Sequence, residues 1–201
     1  MDDAVIKGYA TAAPELILKF DAIDPAEHLS CVQHLFPVAA SRILDVGGAT
    51  GRTAAWLADS GHQVLVAEPV QAFRKAGKER HPSPRVEWLD DALPELAQTL
   101  KRRTTFDLIL LSAVWHHLTS DQRKIAVSTM AALLAPGGTL IVSLRNGPCP
   151  AARAGFEAPP EELLKLASSA GLHKVFCQTA KSVQSENRKA GVTWVWLAFC
   201  R

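Results

Sequence analysis

The chain has 201 residues, enough to bury a sizeable core, and its 48% apolar and 21% charged composition excludes long disorder. Lys plus Arg exceeds Asp plus Glu by 22 − 20 = 2, so no strong net field draws it to a polyanion. Cys31, Cys149, Cys177 and Cys200 lie far apart without a C-x-x-C pair, which argues against a zinc knuckle, a dithiol motif or any other metal centre.

The N-terminus, "MDDAVIKGYA", lacks an apolar h-region, and no apolar run approaches the roughly 18 residues of a membrane helix, so a cytoplasmic protein is expected. Two amphipathic helices are expected in the first 36 residues: one around Pro14 to Phe20, and one opened by "DPAE", with Asp24 as cap and Pro25 in the first turn. Five short apolar runs follow, "RILDV" (42–46), "QVLVAE" (63–68), "RVEWL" (85–89), "FDLILL" (106–111) and "TLIVSL" (139–144), as suits strands buried on both faces. Helical stretches separate them. One begins at the capping box "TSDQ" (119–122) and is stopped by "APGG"; another runs through "PPEELLKLASSAGL", with Pro160 in its first turn and Gly171 as its C-terminal stop. The last two strands, "HKVFCQT" and "VTWVWLAFC", are separated by too few residues for a comfortable crossover and are expected to be antiparallel. The pattern predicts an open α/β sandwich ending in a hairpin.

In such sheets ligands bind beyond the carboxyl ends of the strands, where the strand order reverses. "GGATG" after the first strand supplies Gly47 and Gly48 for a tight turn and Gly51 for close approach to the helix that follows. Neither G-x-G-x-x-G nor G-K-[ST] is matched, because the second and third glycine positions fall on Ala49 and Arg52. Asp45, just before the turn, repels a phosphate and attracts a cation. Glu68, ending the second strand, can accept hydrogen bonds from vicinal ribose hydroxyls, and Asp91, after the third, from an adenine amino group. Three acids at one sheet edge suit a cationic adenosine derivative.

At these residues the chain resembles the class I S-adenosylmethionine-dependent methyltransferases, and the resemblance covers nearly all of it. "ILDVGGATGR", "VAEP", "DDALPEL", "FDLILLSAVWHHL" and "LLAPGGTLIVSLR" are similar, in order, to that family's motifs. The resemblance implies one Rossmann-like domain over residues 1–201, with a helical cap (1–36) on a core (37–201). It also implies a seven-stranded sheet of order 3-2-1-4-5-7-6 with the last strand antiparallel and helices on both faces. The implied cofactor is S-adenosylmethionine, leaving as S-adenosylhomocysteine. By the same resemblance Gly47, Gly48 and Gly51 line its methionine and ribose portion, and Asp45 supports the amino-acid end. Glu68 takes the ribose, Asp91 and the Ala92 amide take the adenine, and Ser112 lies near the methionyl group. The family's middle glycine is Ala49 here, whose methyl could crowd the ribose.

Methyl transfer from a sulfonium is an in-line displacement that needs alignment and, for an alcohol or protonated amine, a base. His116 is the expected catalytic base, with His117 packing or capping the next helix. Trp115 is either a substrate wall or filler beneath the N-terminal helices, and Arg145 either pairs with a substrate carboxylate or phosphate or lies on the surface. Tyr9 either folds over the cofactor as part of a lid or anchors the first helix. Trp194 and Trp196 alternate on the last strand and are expected in the core or an interface. "SAVW" replaces the D/N-P-P-aromatic sequence of amino-directed enzymes, and Cys149 follows the wrong strand for a nucleophile. Only the first 36 residues and the loop 145–159 can cover the site, so a small O, N or S acceptor is expected, handled by a monomer or homodimer with no nucleic acid and no membrane. The alternatives are a non-catalytic binder of the same nucleoside, or a protein or nucleic-acid methyltransferase using "KRR" (101–103).

Overall fold

The computed structural model describes residues 1–201. Its strands are β1 (Arg42–Val46), β2 (Gln63–Ala67), β3 (Val86–Leu89), β4 (Phe106–Leu111), β5 (Leu134–Asn146), β6 (His173–Lys181) and β7 (Thr193–Cys200). They form one sheet of order β3-β2-β1-β4-β5-β7-β6. The first five pair in parallel, whereas β7 runs antiparallel to both β5 and β6. The helices are α1 (Asp3–Asp21), α2 (Pro25–Leu29), α3 (Arg52–Asp59), α4 (Gln71–Arg80), α5 (Ala97–Lys101), α6 (Ser120–Leu133), α7 (Pro160–Ser169) and α8 (Ser185–Lys189). No helix is long and apolar enough to cross a membrane.

The twofold period of the strands sorts their side chains into two cores. Leu44, Ile109, Leu140 and Leu197 face one way and pack with Ala126, Met130 and Leu163 of α6 and α7. Ile43, Leu108, Ile141 and Trp196 face the other and pack with Leu29 of α2 and Leu57 of α3. The sheet is therefore covered on both sides, which is why its central strands are nearly unbroken apolar runs.

Two boundaries differ from the sequence reading. The first helix begins at Asp3, eleven residues before Pro14, because Asp2 caps it through the Ala4 amide and the apolar positions Ile6, Tyr9, Ala13 and Leu16 keep one face against Val70 and Phe73. Pro14 lies inside this helix, not at its start. The helix opened by the reciprocal Thr119–Gln122 capping box ends at Leu133, so "APGG" already belongs to β5. Five-residue α8 fits between β6 and β7 without making that pair parallel.

Candidate active site

The parallel pairs β1–β2 and β1–β4 flank the point where the strand order reverses, and the loops beyond their carboxyl ends open into one cavity of about 990 Å³ including its mouth. The floor is Asp45, Gly47, Gly48, Ala49, Glu68 and Ser112; Ile6, Tyr9 and Phe20 of α1 close over it.

Glu68 ties the floor together. Its Oε2 accepts from the Ala49 amide at 3.0 Å and its Oε1 from the Val70 amide at 2.8 Å, joining the glycine turn to the start of α4. Each oxygen keeps lone-pair capacity for a ligand hydroxyl. Burial, against the opposing pull of those amides, pushes the Glu68 carboxyl up to about 7. Asp45 is fully enclosed, burial likewise pushing it up to about 7, and its Oδ2 has no hydrogen-bond partner. A Cβ on Gly48 would lie 2.7 Å from that oxygen, and one on Gly47 would lie 2.5 Å from Val114 Cγ2. Those glycines are required by space as well as by the turn.

Ala49 adopts φ 49° in the left-handed region, so the turn keeps the conformation of a glycine and carries strain of about 1 kcal/mol. Its methyl lines the cavity beside Glu68.

Gly51, Asp91 and Ala92 lie behind the cavity wall. Gly51 packs under Trp88, whose ring would lie 2.5 Å from an added Cβ. Asp91 Oδ2 accepts from the Thr99 amide at 2.7 Å and the Thr99 hydroxyl at 2.8 Å, and Oδ1 from the Ala92 amide at 3.1 Å. Its carboxylate, expected together with Ala92 to meet the adenine, is thus already engaged in anchoring α5.

His116 is likewise not brought to the cavity. It is buried between His117 and Trp194, its Nδ1 is unpartnered, and burial pushes its imidazole down to about 2, which weakens it as the expected base. Its neighbour His117 reaches the cavity instead and shares a 2.9 Å hydrogen bond with Tyr9. Trp115 is wholly buried in the core and forms no substrate wall. Arg145 lies over the Trp194 ring at 5.5 Å and donates to the Pro148 carbonyl and Asn187 Oδ1, tethering loops outside the cavity. Tyr9 and Ser112 do line it, as does Trp194, which carried no expected role.

Two further polar residues reach the cavity without having been singled out. His28 on α2 shares a 2.9 Å hydrogen bond with Ser112 Oγ, and burial, helped by Arg52, holds it down to about 4. Arg52 opens α3 beside Asp45. A helix-opening arginine directly after a glycine turn was the available signal for the second; His28 offered none.

An open sheet of this order, with a glycine turn and buried acids at its switch point, defines a Rossmann-like methyltransferase fold. A family model described as a methyltransferase domain matches residues 44–140. Over that stretch the chain is similar to methyltransferase domains, and its fold is that of solved S-adenosylmethionine-dependent methyltransferases. Among solved structures it is similar to a Burkholderia thailandensis 1,6-didemethyltoxoflavin-N1-methyltransferase, at TM-score 0.75 and 19% identity over 99% of this chain and 88% of that one. A Synechocystis PCC 6803 magnesium protoporphyrin IX methyltransferase gives TM-score 0.75 at 14% identity over 100% of both chains. Identities this low establish the fold alone. Among curated proteins, the Escherichia coli (strain K12) tRNA 5-carboxymethoxyuridine methyltransferase is 32% identical over 109 residues, 52% of this chain. The match spans only 40% of that relative.

Proposed function

We propose that the chain binds S-adenosylmethionine and transfers its methyl group to a small-molecule acceptor, releasing S-adenosylhomocysteine. The observation that carries this reading is the pair of buried carboxylates, Asp45 and Glu68, facing one glycine-floored cavity with Asp45 Oδ2 unpartnered. Glu68 would accept from the ribose hydroxyls, Asp45 would face the cationic amino-acid end, and Gly47, Gly48 and Ser112 would let that end approach the backbone. Two carboxylates would repel a pyrophosphate in the same place. When bound, the cofactor supplies a methyl group on positively charged sulfur. The chain's own contribution is to hold the acceptor in line and exclude water.

Tyr9, His117 and Trp194 are the residues we assign to the acceptor side, in place of His116, Trp115 and Arg145. The roof formed by α1 favours an acceptor small enough to be enclosed. Gly51, Asp91 and Ala92 would support the cofactor from behind, through Trp88 and α5. A tRNA acceptor is the second reading, favoured by the curated tRNA-acting relative.

Calorimetry with S-adenosylmethionine and S-adenosylhomocysteine tests the binding step. Micromolar affinity is expected, lost when Asp45→Ala and Glu68→Ala are combined, and indifference to both nucleosides at millimolar concentration would overturn the proposal. Incubation with methyl-tritiated cofactor and either a small-metabolite extract or total tRNA then separates the acceptors. Label is expected in the small-molecule fraction; label in tRNA alone would replace the first reading with the second.

A further inference from the structure

The charged side chains that line the cavity, Asp45, Glu68 and Arg52, stand at its glycine floor or beside it. The rest of the wall is aromatic, with the rings of Tyr9, Phe20, Phe73, His28, His117 and Trp194. Burial holds the imidazoles of His28 and His117 below their ordinary value and pushes the Tyr9 hydroxyl up, so the polar groups on these rings are neutral near pH 7. Aromatic walls often take a cation, but two of these rings already hold one. The Arg153 guanidinium lies 5.2 Å over the Tyr9 ring and that of Arg145 lies 5.5 Å over Trp194, so an ammonium approaching either ring meets like charge. A carboxylate would exchange its water for neutral partners, since Arg145 already gives its N–H groups to the Pro148 carbonyl and Asn187 Oδ1.

One polar atom gives this wall a direction. His117 Nδ1 faces the Ala154 carbonyl at 2.7 Å, so its Nε2 accepts from the Tyr9 hydroxyl at 2.9 Å. The Tyr9 oxygen, its own hydrogen engaged, can accept from a ligand but not donate to it. We propose that the methyl acceptor is an uncharged aromatic ring bearing a hydroxyl or amino group, which lies among these side chains and donates its hydrogen to Tyr9 Oη. This assignment rests on the small-molecule methyltransferase reading above and makes Tyr9 a specificity-determining residue. With its hydrogen turned to Tyr9, the ring's heteroatom keeps a lone pair for the methyl group. The new bond forms from that pair, the pair of the broken carbon–sulfur bond stays on sulfur, and the heteroatom's proton is released to water.

The test is equilibrium dialysis of the full chain, saturated with S-adenosylhomocysteine, against three compounds that share one ring system: 2-naphthol, 2-naphthoate and 2-naphthylmethylamine, the second an anion and the third a cation near pH 7. 2-Naphthol is expected to bind at least tenfold more tightly than either charged compound. Tyr9→Phe is expected to weaken 2-naphthol at least fivefold while leaving S-adenosylhomocysteine within twofold. A charged compound that binds as tightly as 2-naphthol, no binding of 2-naphthol, or an unchanged affinity for it in Tyr9→Phe would overturn the assignment. Should Tyr9→Phe not fold, wild type is compared on 2-naphthol and 2-methoxynaphthalene, which has no hydrogen to donate: at least fivefold preference for the former supports the role of Tyr9, and equal binding overturns it. Failure of wild type to bind S-adenosylhomocysteine would defeat the cofactor reading and this assignment with it, whereas its binding without a preference for the uncharged ring defeats this assignment alone.

Discussion

Tyr9 Oη lies 2.9 Å from His117 Nε2, and a second contact fixes the direction of that bond. His117 Nδ1 is 2.7 Å from the Ala154 carbonyl, which can only accept, so Nδ1 carries the hydrogen and Nε2 accepts from the tyrosine hydroxyl. Burial pushes the Tyr9 hydroxyl up to about 12 and holds His117 below an ordinary imidazole, so both are neutral near pH 7. Three segments distant in sequence, α1, the turn at Trp115–His117 and the loop at Ala154, are joined by one neutral chain of hydrogen bonds.

Tyr9→Phe removes the donor and leaves His117 Nε2 without its partner, at a cost of about 1–2 kcal/mol. Urea unfolding is the measurement. Nitrogen-15 shifts of wild-type His117 should identify the Nδ1–H tautomer, and a protonated Nε2 would contradict the stated direction of the bond.

Asp45 and Glu68 give cofactor binding and stability opposite responses to pH. Their folded pKa values, about 7, lie above ordinary carboxylate values, so the folded chain holds protons that the unfolded chain has released. Their contribution to the stability of the free protein is therefore full below about pH 4 and declines as pH rises to about 7. His28, held down to about 4, acts oppositely: its neutral folded form loses stability as pH falls below about 6.5, where the unfolded imidazole protonates. Comparing Asp45→Asn with wild type isolates the carboxylate, and the variant should lose less stability between pH 5 and 8. Binding of a cation needs Asp45 ionised, so affinity for S-adenosylmethionine should rise several-fold from pH 6 to pH 8. That rise should flatten in Asp45→Asn.

The strands were legible because central parallel strands are apolar on both faces, and Asp45 and Glu68 stand out by interrupting such runs at their tips. The turn chemistry was legible too: Thr119–Gln122 and Gly47–Gly48 act locally, within a few residues. What sequence did not separate was direction. His116 and His117 are adjacent, and only the short turn at Trp115–His117 decides that the second faces the cavity while the first is buried against Trp194. Asp91 has the expected spacing after its strand, but Thr99, eight residues on, takes its carboxylate, a partner set by tertiary packing. His28 owes its place to Ser112, far along the chain.

Gly77→Ala sets helix propensity against packing. Inside α4 an alanine is intrinsically better by about 1 kcal/mol. At this position, however, the new Cβ would lie 2.3 Å from the Trp88 ring and 2.7 Å from the Thr50 carbonyl. Trp88 is held between Gly77 and Gly51. Overpacking of this kind costs about 1–3 kcal/mol, so the variant should be destabilised by about 1–2 kcal/mol in urea titration despite its better propensity. A gain in stability would mean that the ring is free to move. Because the same ring backs the glycine turn, affinity for S-adenosylhomocysteine should fall along with stability.

Arg123 links the core to the loop that orients His117. It is almost wholly buried in α6, lies over Trp115, and donates through Nη1 to the Glu157 carbonyl at 2.9 Å and to Glu162 Oε2 at 2.5 Å. Arg123→Ala would leave that carbonyl and a mostly buried carboxylate without their donor and open space beneath Trp115. Breaking a buried pair from one side costs about 3–5 kcal/mol, and the partial exposure of Glu162 puts this case near 3 kcal/mol. Arg123→Met keeps most of the volume and should lose roughly 1 kcal/mol less, which separates packing from pairing in parallel urea titrations. The loop from Ala154 to Glu157 should loosen in both variants, and faster amide exchange at Phe156, whose N–H donates to the His116 carbonyl at 2.7 Å, would report it. Unchanged exchange there, with stability within about 1 kcal/mol of wild type in Arg123→Ala, would show that the loop is held by other contacts and that the His117 tautomer does not depend on this arginine.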